Sequence, residues 1–493
     1  MDIAHRIKRK DLLTKIMTAE EAAQIITDGM HVGVSGFTPS GYPKAVPLAL
    51  AERVKKGERI RLTLGTGASV GQEIDETWAP LGIIARRYPY KSGRNINSNV
   101  NAGDTRFIDI HLSQVAQQLR FGYLPPMDVC IIEAVCILEN GGIVPSTAVG
   151  NAPVYVEQAK KIIVEINTSQ PIELMGMHDI YSLMSPPDRL PIPLTNCSDR
   201  IGTPYIPCDP SKIVAIVHSD IMDKVRSLAP IDDVSCAIAA HLIHFFKKEY
   251  GNQLPPIQSG VGALANAVLA GLAESQFEGL RVWSEVIQDA VFDLIDADMI
   301  ASATGTSLSP SPAGRIRFFE NIGAYRKKII LRPQEISNNP EIARRLGIIA
   351  MNTALEADIY GNTNSTHIMG TTMVNGIGGS GDFSRSAGLV IMMTSSVTKG
   401  GAVSCIVPHV THVDHTEHDV HIIVTEQGLA DLRGLSPQEK VPLIIDKCAH
   451  PDYRPILRDY FQRALNKSVG HTPMLLDEAY TLHVRYLKTG SMK

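Results

Sequence analysis

Gly260-Val261-Gly262 opens a helical run, and Leu280-Arg-Val-Trp-Ser-Glu285 beyond it reads as a short strand ending on a carboxylate. Two chemistries use such an order. Glycines at a helix N-terminus let phosphate oxygens reach backbone N–H groups at the positive end of the helix dipole. An acid closing the next strand can then hydrogen-bond a dinucleotide ribose. Alternatively, the Glu285 carboxylate faces the bound ligand and attacks it as a nucleophile. Residue types and spacing leave both open.

The glycine patterns themselves discriminate little. Gly260-x-Gly262-x-x-Ala265 and Gly376-Ile-Gly378-Gly379-Ser-Gly381 both fit the dinucleotide fingerprint within one chain. Pro255-Pro256 occupies the place of a strand before the first, and proline cannot donate to a central ladder. The second leads into Asp382-Phe-Ser-Arg385 with no strand-ending acid about 20 residues on. Each is equally a tight turn that needs glycine backbone angles. The histidines His409, His412, His415, His418 and His421 recur every third residue among Asp414, Glu417 and Asp419, a donor set zinc or iron could use. Spacing by three aligns side chains only on a 3₁₀ turn, which rarely lasts so long. The segment reads as a polar connection between the strands Ser404–Pro408 and His421–Thr425, and no metal is expected.

Around these motifs the chain alternates strand, glycine-rich turn and helix, the pattern of α/β layers with a mainly parallel sheet. Met30–Gly36 leads into a helical Pro43–Glu52, and Arg59–Gly65 is an alternating strand ending in Thr66-Gly-Ala-Ser69. Asp128–Glu133, Lys161–Ile166 and Lys212–Val217 have continuous apolar centres suited to strands buried on both faces. The pattern then restarts. Asp232–Tyr250 reads as an amphipathic helix, and the Gly260 unit echoes the Gly36 unit. Lys327–Leu331 echoes Lys160–Val164, each followed by an asparagine, Asn338 and Asn167. Two tandem related α/β domains are expected, residues 1–220 and 221–493, the second carrying Glu285.

Composition agrees with a soluble enzyme of more than one domain: 493 residues, 20% charged and 44% hydrophobic. A net charge of -4 offers no general attraction to nucleic acid or an anionic membrane, so a phosphate-bearing ligand must be held locally. The 7 cysteines are scattered without a Cys-x-x-Cys pair, which suits a reducing compartment. No apolar run approaches the roughly 18 residues that span a bilayer. Met1–Lys10 lacks the apolar core of a signal peptide, and Asp2 and Asp11 spoil a mitochondrial transit pattern, so a cytoplasmic location is expected.

Longer strings are more specific. Ser259-Gly-Val-Gly, Ser284-Glu285-Val-Ile-Gln-Asp289, Glu335-Ile-Ser-Asn-Asn-Pro340, Asp358-Ile-Tyr-Gly-Asn362, Asn375-Gly-Ile-Gly-Gly-Ser-Gly-Asp-Phe383 and Thr425-Glu-Gln-Gly-Leu-Ala-Asp-Leu-Arg-Gly434 resemble the acetyl-CoA hydrolase/transferase family of class I coenzyme A transferases. With Ser35–Lys44 and Gly67-Ala-Ser69, the likeness runs through essentially the whole chain.

The resemblance implies a pair of CoA-transferase domains with the active site between them. It implies transfer of CoA between a short-chain acyl-CoA and a carboxylic acid, of the succinyl-CoA/acetate or propionyl-CoA/succinate type. By the family's motifs Glu285 is the nucleophile that becomes a glutamyl-CoA thioester. Asn338, Ser69 and Glu426 fall at the active site, and CoA contacts fall on Gly260, Val261, Gly262, Ala263, Leu264, Leu355, Gly379 and Lys399. Gly379 in its glycine loop suits an oxyanion donor and Lys399 a phosphate partner. Two departures stand out: Ala263 where relatives often carry Asn, and Trp283 where tyrosine is common, which would alter the acyl pocket. Coenzyme A is implied as substrate with no permanently bound cofactor, and a homodimer is implied. An acyl-CoA hydrolase using the same glutamate is the alternative. A nucleotide-dependent dehydrogenase or a non-catalytic CoA-binding protein is the distant one.

Overall fold

Val129–Ile137, nine residues buried without exception, form the centre of a parallel sheet whose two covered faces demand an unbroken apolar run. A computed structural model describes residues 3–224, 230–467 and 470–493; Met1 and Asp2 of the basic N-terminus lie outside it. The chain divides into two compact units, Met1–Ser227 with Arg281–Leu346, and Leu228–Leu280 with Gly347–Lys493. Compactness thus groups the chain differently from a single cut near residue 220: the Glu285 stretch belongs with the first unit. Periodicity locates strands and helices but carries no record of which sheet a later strand joins.

In the first unit the strands are β1 (His31–Val34), β2 (Leu62–Gly65), β3 (Ile84–Tyr88), β4 (Arg106–Phe107), β5 (Val129–Ile137), β6 (Ile143–Pro145), β7 (Lys161–Asn167) and β8 (Ile213–Ser219). Their order is β4-β3-β2-β1-β5-β7-β8, with β6 hairpinned onto β5. β1 pairs in parallel with both β2 and β5. The chain winds outward from β1 to β4, restarts at β5 and winds the other way. The switch therefore lies between β1 and β5, and ligands bind beyond the carboxyl ends of the strands at such a switch. Strands 300–305 and 329–331 of this unit pair with each other in parallel.

Buried charges fasten the switch. Glu165 of β7 accepts the backbone N–H groups of Lys44, Ala45 and Val46 at 2.7, 2.9 and 3.1 Å, placing a carboxylate on the N-terminus of helix Ala45–Lys55. The Lys44 ammonium, fully buried, meets Glu133 at 2.5 Å and Asp223 at 2.7 Å. Glu133 also accepts the Ser146 hydroxyl at 2.6 Å and the Asn167 amide at 2.8 Å. Burial, and the second carboxylate sharing one ammonium, raise the Glu133 pKa even though Lys44 opposes.

The second unit holds strands 257–259, 349–353, 389–393, 422–425 and 428–431, in that order and parallel except for the last hairpin. A strand therefore does precede the Gly260 turn, despite Pro255-Pro256. It is only Ile257–Ser259, and Pro256 contributes what proline can, its carbonyl, to Ile349 N–H at 2.8 Å. Asp233–Tyr250 is the expected helix, capped by the Asp232 carboxylate. Among the described residues, no helix is long and apolar enough to cross a membrane.

Candidate active site

Glu285 sits where the backbone is held from both sides. Ser284 N–H donates to Thr304, and the Glu285 carbonyl accepts N–H from Thr306 at 2.8 Å and Ser307 at 3.1 Å. Gly305 permits this approach, since a Cβ there would lie 2.9 Å from Ile287 and 3.2 Å from the Glu285 carbonyl oxygen. Residues 286–287 then pair with 307–308. That pair is stitched to the loop after β6: Val149 N–H donates to Thr306, Leu308 N–H to Thr147, and Gly150 N–H to the Thr306 hydroxyl.

The loop carries the Glu285 segment to the switch of the first sheet. Val286 packs in one apolar cluster with Phe37 after β1, Ala68 after β2, Leu112 and Ala148. The two strand ends meet here because a Cβ on Gly67 would lie 2.2 Å from the Gly36 carbonyl, an approach only glycine allows. Ser69 is buried in the same β2 loop, which Arg87 fixes through the Thr66 hydroxyl and the Ala68 carbonyl while ion-paired to Asp75 at 2.9 Å.

The Glu285 carboxylate lies deep among protein atoms, although the residue as a whole is only half-buried. Burial raises its pKa to about 7, opposed by the Asn338 amide that donates to it at 2.6 Å. A carboxyl so tuned is ionised in part at neutral pH, and when ionised it is poorly solvated and reactive. Asn338 is itself oriented. The Ser337 hydroxyl donates to its Oδ1 at 2.9 Å, which turns Nδ2 toward Glu285. The Ser337 carbonyl accepts the Trp283 indole N–H at 2.7 Å. Arg332 stacks over Trp283 with its guanidinium 5.3 Å from the ring and ion-pairs with buried Asp179. Trp283 thus serves as a strut beneath the Asn338 turn rather than as an acyl-pocket wall, because its ring is fully buried and its one polar atom is committed to Ser337.

In the second unit the remaining predicted residues gather along the carboxyl edge of the sheet. Gly260 N–H donates to Met351 at 3.2 Å, Gly262 (φ +113°) precedes helix Ala263–Ala273, and no side chain caps that helix among the described residues. Val261 is 51% exposed, and a Cβ on Gly262 would meet only open space, so the helix N-terminus with Ala263 and Leu264 is accessible. Leu355 follows the adjacent strand 349–353. One strand further, Ser396 donates its backbone N–H to Glu426 at 2.8 Å and its hydroxyl to the same carboxylate. Burial raises the pKa of Glu426, but the Ser396 bonds outweigh it and the carboxylate stays below its ordinary value. Glu426 so anchors residues 397–398, which deliver exposed Lys399 in a left-handed turn (φ +53°). Gly379 is buried at the start of helix Ser380–Ser384 with φ -91°, and the left-handed glycine of that loop is Gly378 at +59°.

The histidines divide as a connection would. His415 is buried against the Ser380 hydroxyl at 3.1 Å, His421 accepts the Val390 N–H at 3.0 Å, and His409 is pushed by burial to a pKa of about 4. No metal-ligand cluster occurs among the described residues. Sequence reading missed Ser337, Arg332 and Phe37, whose relation to Glu285 comes from packing. Only the Ser-Asn-Asn-Pro string beside Asn338 offered a local signal.

The fold has solved counterparts. RipA from Yersinia pestis matches with a TM-score of 0.71 at 22% identity, over 94% of this chain and 99% of that one. 4-hydroxybutyrate CoA-transferase from Porphyromonas gingivalis matches at 0.65 and 20%, over 92% and 99%. At such identities the likeness establishes the architecture, an α/β fold with mainly parallel sheets. Sequence then establishes the family. Residues 1–218 match the acetyl-CoA hydrolase/transferase N-terminal domain and residues 314–461 the C-terminal domain. Succinyl-CoA:acetate CoA-transferase of Clostridium kluyveri is 53% identical over 99% of this chain and 92% of its own. An acetyl-CoA hydrolase of Schizosaccharomyces pombe is 46% identical over 98% of each. The chain belongs to the acetyl-CoA hydrolase/transferase family and is an enzyme; the dehydrogenase and non-catalytic readings fall away.

Proposed function

We propose that the protein transfers CoA from a short-chain acyl-CoA, such as succinyl-CoA or propionyl-CoA, to a small carboxylate such as acetate or succinate. The observation that carries this reading is Glu285 itself: a carboxyl raised to about 7 by burial, on a residue only half-buried as a whole, and held by the Asn338 amide. In the first step the Glu285 carboxylate attacks the acyl carbonyl carbon, the C–S bond breaks, and CoA leaves as thiolate from an acyl-glutamyl anhydride. The thiolate then attacks the glutamyl carbonyl, the acyl group departs as its carboxylate, and a glutamyl-CoA thioester remains. An acceptor carboxylate runs the same two steps in reverse and leaves as its CoA ester.

Each attack places negative charge on an oxygen of the glutamyl group or the acyl group. The Asn338 Nδ2–H, already aimed at Glu285, stabilises that charge without reorganising. Ser69 and the Gly379 N–H are assigned to the carboxylate and oxyanion, and Glu426 to positioning. CoA is assigned to the accessible helix end at Gly260–Leu264, to Leu355 and Gly379, and to the Lys399 charge. We also assign the enzyme to the cytoplasm as a homodimer.

The experiment is an intact-mass measurement after mixing with acetyl-CoA. A CoA-sized adduct on wild type that is absent from Glu285→Ala supports the mechanism; no adduct, or one that persists in the variant, ends it. The hydrolase reading has support in the relatives named for that activity. It uses the same thioester with water as acceptor. Succinyl-CoA plus acetate separates the two: acetyl-CoA as main product supports transfer, free CoA supports hydrolysis.

A further inference from the structure

Away from Glu285, the first unit carries a second recess of about 630 Å³, large enough for a small metabolite. Its lining is strongly cationic: Arg200, Arg326 and Lys327 face it, with His178 and Asp179. Among the described residues none of the three cations forms an ion pair within 4 Å. Asp179 does not neutralise them, because its carboxylate is spent on Arg332 and on the N–H groups of Ile201 and Gly202 at 3.0 and 2.7 Å.

The two guanidiniums are placed rather than trailing. Arg200 donates to the His178 carbonyl at 3.0 Å and Arg326 to the Met175 carbonyl at 3.1 Å. Gly176 (φ +94°) leaves room for Arg326, since a Cβ there would lie 2.8 Å from its guanidinium nitrogen. They also feel each other: burial lowers the Arg200 pKa, Asp179 opposes, and Arg326 lowers it further.

His178 adds no charge to this lining. Its ring is 1% exposed, and Nε2 is within 2.9 Å of the Ser146 carbonyl, so Nε2 carries the proton. Burial drops its pKa to about 4, leaving the ring neutral and Nδ1 a bare acceptor. That Nδ1 is buried with no hydrogen-bond partner among the described residues. A buried acceptor of this kind costs about 1–3 kcal/mol when unmet.

We propose that this recess binds a small dianion, its anionic oxygens on Arg200 and Arg326 with Lys327 adding charge. The site is independent of the catalytic reading. Phosphoryl and carboxyl ligands share this chemistry. Hydrogen phosphate and malate are therefore the two probes, titrated calorimetrically into the intact enzyme at low ionic strength and again with saturating CoA.

Expected is binding of at least one probe with a Kd below about 1 mM, weakened roughly tenfold or more in Arg200→Ala/Arg326→Ala, as loss of charge-assisted hydrogen bonds predicts. Both arginines are exposed, so the variant should keep the wild-type melting temperature without ligand. Whichever probe binds identifies the source. The proposal is overturned if neither probe titrates at 1 mM, if the double variant binds as wild type does, or if CoA displaces the probe. Glu285→Ala should bind the probe unchanged, so failure of the catalytic reading and failure of this one remain separate.

Discussion

Two glutamates of the first unit occupy closely similar settings and have opposite fates. Glu133 accepts an amide from Asn167, and Glu285 accepts one from Asn338, at 2.8 and 2.6 Å. Burial raises both pKa values. Glu133, however, is fully buried and further held by Lys44 and Ser146, so both oxygens have protein partners and no substrate can reach it. Glu285 has no ion pair among the described residues, and the residue is only half-buried. Desolvation and an asparagine donor are thus common to both; residual exposure, and the absence of a neutralising cation, set the proposed nucleophile apart.

Substitution at the two positions should break the comparison most plainly. Glu285→Ala is expected to lose at least ~10³-fold in CoA transfer while its unfolding curve stays cooperative, because it removes the group proposed to form the covalent bond. Glu133→Ala should do the reverse, lowering unfolding free energy by about 3 kcal/mol by stripping a partner from buried Lys44. Urea unfolding and steady-state rates on both variants test the pair, and a large stability loss in Glu285→Ala would erase the distinction.

Asn338→Ala comes next. Loss of one preorganised donor to a developing oxyanion is worth about 10² to 10³ in kcat. A kcat within threefold of wild type would remove Asn338 from the chemistry.

The raised pKa also makes a stability prediction. The native Glu285 carboxyl keeps its proton up to about pH 7, whereas the unfolded one releases it near 4.5. Between those values the native state binds more protons, so its stability falls as pH rises through that window. Glutamine does not ionise, so Glu285→Gln should gain on wild type by at most ~3 kcal/mol above pH 7 and by nothing below pH 4.5. Equal differences at pH 4 and pH 8 would contradict the burial argument.

The smallest effect is reserved for the strut. Trp283→Phe keeps the ring but leaves the Ser337 carbonyl without its donor, so kcat should fall about tenfold with little change in KM, alongside a loss of about 1–3 kcal/mol in stability. A raised KM with unchanged kcat would return Trp283 to the acyl pocket.

By itself the sequence determined the local elements and the candidate nucleophile. The apolar runs became β5, β7 and β8, and Asp232 capped its helix, because burial on two faces and end capping leave local signatures. The Ser-Glu-Val string singled out Glu285, and Ser-Asn-Asn-Pro singled out Asn338, as family motifs. Even the repeat of Asn167 and Asn338 after similar strands was legible, although not that each would meet a glutamate.

Tertiary structure decided the rest. It returned residues 281–346 to the first unit, found room for strand 257–259 beside a proline pair, and turned Trp283 toward Ser337. It also decided that Glu133 is sealed and Glu285 only half-buried. Those outcomes depend on contacts between residues far apart in the chain, Glu285 with Asn338 and Val286 with Phe37 and Ala68. A carboxylate's pKa and accessibility are properties of the packed surroundings, and no window of sequence contains them.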